Sequence, residues 1–315
     1  MNDVVIMVWT KRMDAGFGDL LRGTVHLYQL SKKMNFKLIV DTQFHHVSQF
    51  LMSQPHAHSD YVIQNQSKII QVLNVDESFI VKLIQDNNKH KSAPMLICTN
   101  YGSADQSAVQ RMSEDCKRFI KTLLIPTPEF KTYFNTKCVE LKIPRIYSIL
   151  HFRLGDDELL HHAKNGTQYN ELVEHVVSNL KQTPNSFVIA DSFKFKQHLM
   201  QALPNFSSRI IPTVPIHLGD PNATVEMVKE TLFDFMLLAN AMFIKTYSTY
   251  GWISGFVSWS CGVFDVPLMN LKPRMKFMKL FGSPKITTTR TPPPMQGLMS
   301  SILKPDRSQA FKKMF

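Results

Sequence analysis

The sequence predicts an α/β protein made of two doubly wound halves, each a parallel sheet flanked by helices. Three observations predict it. Short apolar, β-branched runs alternate with segments of helical periodicity along most of the chain. The first run leads into a glycine-containing turn, Gly16-Phe17-Gly18-Asp19, and then an amphipathic segment and a second run. After proline-punctuated segments, a second strand-first unit starts near residue 146.

Composition narrows the function classes. The chain has 315 residues, room for two domains, and its 44% apolar content argues for packed cores rather than disorder. No run reaches the roughly 18 apolar residues of a spanning helix. The opening MNDVVIMVWT lacks a basic leader, so a cytoplasmic location is expected unless a leader has been cut away. Cys98, Cys116, Cys138 and Cys261 show neither CxxC nor a disulfide-framework spacing, and are expected to be reduced structural thiols. The net charge of +11 and pI near 9.4 favour anionic partners. Lysines are spread over the whole length without an arginine-rich run or a nucleic-acid motif, which points to a nucleotide user rather than a nucleic-acid binder.

In the first half, residues 4–9 form a strand. The glycine turn then opens a helix whose Leu20, Leu21, Thr24, Leu27, Tyr28 and Ser31 share a face, and residues 37–41 form the next strand. A glycine-rich turn at a helix start exposes backbone N–H groups to an anion or polar group. This one is neither a P-loop nor a full GxGxxG, and Asp19 and Arg22 suit a cleft wall or a helix cap equally. Residues 42–90 hold mixed short elements. His45-His46 and His56-Ala57-His58-Ser59-Asp60 invite a metal reading, but no third ligand is evident and no metal is expected. A strand at 94–101, a helix at 107–124 and a shorter helix at 129–142 complete a first domain, residues 1–143.

The second domain, residues 144–282, is organised around Ile146-Tyr147-Ser148-Ile149-Leu150-His151-Phe152-Arg153-Leu154-Gly155-Asp156-Asp157-Glu158. A buried strand here ends abruptly in polar residues, and in open α/β sheets ligands bind beyond the carboxyl ends of strands. The planar fork of Arg153 suits a phosphate, and His151, two residues earlier, points to the same face. The plainer alternative is an ordinary strand end with Arg153 paired to Asp156. A helix at 169–180 follows, then a strand at 187–190 ending in Asp191-Ser192, which also suits the cap of a helix at 193–203. An apolar helix at 224–240 leads to a strand at 242–246, the turn Tyr247-Ser248-Thr249-Tyr250-Gly251-Trp252 and a new helix. Residues 263–268 are expected to form the last strand, and 283–315 a Pro/Thr-rich linker and tail.

The pattern His151-x-Arg153-x-Gly155-Asp156 resembles the signature of the fucosyltransferase superfamily that makes α1,2, α1,6 and protein O-linked fucose bonds. GFGDLLRG resembles that family's first glycine-rich loop, and FDFMLLANAMFIKTYSTYGWISGF its third motif. The resemblance implies a GT-B architecture, two Rossmann-like domains facing one another across a cleft, with Gly16 and Gly18 on the cleft and Asp191 near the donor. It implies that Asp234 and His151 contact the nucleoside, while Arg153, Ser248 and Thr249 hold the diphosphate. The implied reaction is inverting transfer of fucose from GDP-fucose, the donor substrate, to a glycan hydroxyl. An inverting displacement asks for a base, for which Asp156, Asp157, Glu158 and Asp19 are the candidates. No Asp-x-Asp motif occurs, so neither a divalent cation nor another cofactor is expected. Two departures stand out: Leu154 occupies a position where many relatives carry a second arginine, and Tyr250-Gly251-Trp252 replaces the usual aromatic pair. The absence of an amino-terminal anchor departs from Golgi enzymes and suggests a bacterial or viral cytoplasmic setting, or a chain that has been trimmed. Alternatives are a non-catalytic GDP-sugar-binding module, a transferase for another GDP-hexose, or a basic nucleic-acid binder.

Overall fold

The computed structural model describes residues 4–10, 16–52, 56–89, 93–101, 112–154, 167–214, 216, 218, 220, 222–248 and 255–270. The first strand, β1 (Val4–Thr10), is apolar almost throughout and lies at the centre of a four-stranded parallel sheet. Strands covered on both faces need such continuous apolar runs, and Val5 to Trp9 are buried without alternation. Helix α1 (Phe17–Met34) follows, and Phe17, Leu20, Leu21, Val25, Leu27 and Leu30 are its buried apolar residues. It ends at Asn35, whose φ of 56° is the left-handed conformation that commonly closes helices. The next strand, β2 (Lys37–Phe44), pairs in parallel with β1. After the short α2 (Ser59–Gln64) come β3 (Ile70–Val72), α3 (Glu77–Lys89) and β4 (Met95–Thr99), giving the sheet order β2-β1-β4-β3.

Two helices lead to the second sheet. Helix α4 (Glu114–Leu123) starts later than the periodicity predicts. Ser113 Oγ accepts from the Cys116 N–H and sets the boundary there, so Met112 is not helical; residues 107–111 of the expected helix lie outside the described residues. Helix α5 (Pro128–Glu140) is capped by Thr127 and begins on a proline, whose missing N–H costs nothing at that position.

The second sheet repeats the design of the first. Strand β5 (Ser148–Arg153) is buried until its last residue and sits between β6 (Ser186–Ala190) and β7 (Ile244–Ser248). Helix α6 (Thr167–Gln182) precedes β6, and α7 (Phe193–Ala202) follows it. Helix α8 (Val225–Asn240), capped by Thr224, precedes β7. The final elements are α9 (Gly255–Phe264) and β8 (Leu268–Asn270), and the order is β6-β5-β7-β8, all parallel.

The last strand therefore begins later than expected, because Val263 and Phe264 finish α9. Asp265, with φ 57°, turns the chain out of the helix, and Pro267 cannot donate to a helical ladder. A β-branched, aromatic run so short reads equally as strand or buried helix end.

Both sheets belong to one compact unit ending at Asn270; the expected tail at 283–315 lies outside the described residues. The connection at 141–147, where the domain junction is expected, separates the strands of the two sheets. Helix α5 precedes this junction yet packs on α8, with Phe134 and Phe233 rings 5.3 Å apart and Lys137 2.9 Å from Glu230.

Candidate functional site

The strand order of the second sheet creates a topological switch. From β5 the chain moves to β6 on one side, then crosses to β7 on the other. Crossovers that diverge in this way leave a crevice beyond the carboxyl ends of the two strands, here β5 and β7. Arg153 is the last residue of β5 and Ser248 the last of β7, and they are register partners across the parallel ladder. The register thus brings two expected diphosphate contacts side by side, from positions almost a hundred residues apart.

Asp191, just past the end of β6, orients the tip of β5. Its Oδ2 accepts from Arg153 Nη1 at 3.0 Å, its Oδ1 from the Leu154 N–H at 2.8 Å, and its own N–H donates to the Phe152 carbonyl at 3.2 Å. The Arg153 side chain keeps 40% of its surface exposed. The planar fork of a guanidinium ordered in this way has a shape that matches an anion's oxygens. Ser192 is separate in function: its Oγ accepts from the Phe195 N–H and caps α7.

Beneath the tip lies a buried polar layer. His151 Nδ1 is 3.1 Å from Oγ1 of Thr246, its register partner on β7. Burial, then the positive charges of Arg153 and Lys196, pull the imidazole down to about 3, so it is neutral near pH 7. Asp234 on α8 is buried, and the Thr213 hydroxyl lies 2.8 Å from each of its oxygens. Lys196 on α7 donates to Thr213 Oγ1 at 2.9 Å, and its Nζ lies 3.9 Å from Asp234 Oδ2. Burial raises the Asp234 carboxyl and lowers the Lys196 ammonium, each opposed by the charge of the other. Asp234 is thus not a solvated helix residue but part of a buried Lys–Thr–Asp relay.

Lys196 and Thr213 are missed by the sequence reading. The available signal was a lysine on the apolar face of α7, three residues from buried Leu199 and next to buried Phe195. Thr213 carries no signal of its own.

The glycine loop of the first half meets the second half. The Gly16 N–H donates to Asp19 Oδ2 at 3.2 Å, and Arg22 Nη1 donates to Asp19 Oδ1 at 2.9 Å, so the Asp19 carboxylate serves the helix start. Trp259 Nε1 of α9 donates to the Gly18 carbonyl at 3.2 Å. Phe17 packs edge-on against Phe235, the neighbour of Asp234, and against Phe256. Gly155, Asp156, Asp157, Glu158 and Thr249 lie outside the described residues, and of Ser248 only the backbone is described.

The histidines that invite a metal reading are used locally. His56 Nε2 is 3.1 Å from Asp41 Oδ2, and its Nδ1 accepts from the His58 N–H at 3.3 Å. Among the described residues no three His, Cys, Asp or Glu side chains form a group suited to a metal. All four cysteines are free thiols, and burial pushes Cys98 up to about 11 and Cys116, Cys138 and Cys261 up to about 12. No helix among the described residues is long and apolar enough to cross a membrane.

Comparison with protein-family models and with curated protein sequences finds no match. Among solved structures the chain is similar to NodZ α1,6-fucosyltransferase soaked with GDP-fucose, with a TM-score of 0.51 and 14% identity over 87% of this chain and 96% of that one. It is similar also to fucosyltransferase NodZ from Bradyrhizobium, with a TM-score of 0.51 and 13% identity over 86% of this chain and 96% of that one. At such identity the likeness is one of fold: two parallel-sheet α/β domains, as in these GT-B-like fucosyltransferase structures.

Proposed function

We propose that this chain is an inverting, metal-independent glycosyltransferase that moves fucose from GDP-fucose to a hydroxyl of a glycan. One observation carries the reading: Arg153 and Ser248 end adjacent strands in register at the switch point of the second sheet. A leaving nucleoside diphosphate develops negative charge, and donors fixed before the reaction stabilise it without reorganisation. Arg153, steadied by Asp191, supplies the fork, and Ser248 and Thr249 supply hydroxyls and N–H groups. Asp234 accepts from the guanine N–H groups, and the neutral His151 helps to frame the nucleoside. The chain's fold likeness to a fucosyltransferase soaked with GDP-fucose supports the choice of donor.

The acceptor hydroxyl must lose a proton, and Asp156, Asp157 and Glu158 follow directly on the strand tip. Asp19 is the weaker candidate base because both its oxygens already accept hydrogen bonds. The absence of an Asp-x-Asp pair in the sequence supports a metal-free mechanism, with Arg153 in place of a cation. The test is a thermal-shift panel of GDP, UDP, CMP and their sugars, followed by GDP release from GDP-fucose with and without EDTA. Selective stabilisation by GDP and GDP-fucose, with EDTA-insensitive turnover, is the expected result. Binding of GDP without turnover would leave a nucleotide-sugar-binding module, and no response to any guanine nucleotide would end the reading.

A further inference from the structure

A buried lysine is costly, since an ammonium taken out of water must be repaid by paired charge and hydrogen bonds. The Lys196 side chain has no exposed surface, and its single hydrogen bond among the described residues goes to Thr213 Oγ1. That same hydroxyl faces both oxygens of Asp234. Of the two side chains only Asp234 keeps any exposed surface, 6% against 0%, so Asp234 and not Lys196 lies nearer the open side of the pair.

We propose that Lys196 is a positioning residue for base recognition: acting through Thr213, it holds the Asp234 side chain in place as an ionised acceptor. The inference rests on the GDP-sugar reading above and adds a source for its base selectivity. Guanine presents two adjacent N–H donors, at N1 and N2, and an ionised carboxylate accepts both. Adenine presents an unprotonated N1 at the same edge, which an ionised carboxylate repels. A protonated carboxyl would instead donate to that nitrogen, and the discrimination would fall.

The charges around Asp234 make the direction clear. Lys196 of α7 and Lys137 of α5 favour its ionised form, whereas Glu230 of α8 and burial oppose it. Asp191 and Glu230 also act on Lys196 and help to keep it charged, while Lys137 repels it, and Lys196 in turn disfavours protonation of His151. Removing the Lys196 charge leaves Asp234 buried beside Glu230 with less to hold it ionised, so its carboxyl rises further. The defect must therefore be largest at low pH and shrink as pH rises.

The test measures affinity of the full chain for GDP, IDP and ADP by calorimetry between pH 6 and 9, in wild type, Lys196→Met and Thr213→Val. In wild type GDP is bound ahead of IDP, and IDP ahead of ADP. Lys196→Met is expected to weaken GDP on the order of ten-fold near pH 6.5, with recovery toward pH 9 and a parallel fall in the GDP-to-ADP ratio. Thr213→Val, which breaks the relay and keeps both charges, is expected to change in the same direction, and decides the matter if the lysine variant does not fold. A ratio and pH profile equal to wild type in either folded variant, whatever its melting temperature, overturns the proposal. If wild type binds GDP and the variants behave as wild type, only the role of Lys196 is lost. If wild type binds no guanine nucleotide, the transferase reading and this inference fall together.

Discussion

Trp259 donates its indole N–H to the carbonyl of Gly18 at 3.2 Å, joining residues 241 positions apart. Gly18 lies in the first turn of α1, so its carbonyl belongs to the helix start that the glycine motif builds. Phe17, one residue earlier, stands among Trp9, Phe235 and Phe256. The indole is therefore both a wedge and a pin between the two halves. Trp259→Phe keeps most of the wedge and removes the pin, and should cost about 1 kcal/mol in chemical denaturation. Trp259→Ala removes both and should cost roughly 3–5 kcal/mol. Equal stability of wild type and the alanine variant would show that the two halves do not depend on this contact.

Gly23 sets how closely α1 approaches the end of β4. A methyl group there would stand 2.1 Å from the Thr99 carbonyl oxygen and 3.4 Å from Asn100 Cα. Both are backbone atoms, so no side chain can swing aside. Gly23→Ala should lower stability by roughly 1–3 kcal/mol despite the better helix propensity of alanine. A gain in melting temperature would mean that α1 shifts along the sheet without penalty.

Much of this architecture is legible in the sequence because it rests on local signals. The run VVIMVW is apolar without alternation and SILHF is interrupted only by Ser148 and His151, which marks central strands of a parallel sheet. Thr224 and Ser192 stand where helix caps stand, and Arg153 ends a buried run in a manner that points to a site. The rest depends on distance in space. Asp191 lies 38 residues from Arg153, and nothing local says that one carboxylate holds both the guanidinium and the Leu154 amide. Lys196 and Thr213 are joined to Asp234 only by packing of α7, α8 and the segment between them. The error at 263–268 has the opposite cause, a short run too small to show its period before Asp265 ends the helix.

Arg153 separates binding from folding. Its ion pair with Asp191 is partly solvent-exposed, and such pairs contribute about 1 kcal/mol or less. Arg153→Ala should therefore fold with a similar melting temperature while GDP-fucose turnover falls at least on the order of 100-fold. Arg153→Lys keeps the charge but loses the planar fork, and should recover only part of the rate. Turnover near wild type in the alanine variant, read as GDP release, would remove the residue from the proposed mechanism.

His151 predicts how stability responds to acid. Its pKa is near 3 in the folded protein against the ordinary 6.5, so between these values the unfolded chain binds the extra proton. The stabilisation from burying a neutral imidazole is complete above about pH 6.5 and is lost progressively as pH falls toward 3, by up to about 4 kcal/mol. Asp234 acts with the opposite sign, because its raised pKa favours the protonated folded state as pH falls. Comparing wild type with His151→Asn cancels that contribution, since both proteins carry Asp234. Denaturation midpoints measured from pH 7 to 4 should fall more steeply in wild type than in the variant. Parallel slopes would mean that the imidazole gains a proton in the fold as easily as it does in the unfolded chain.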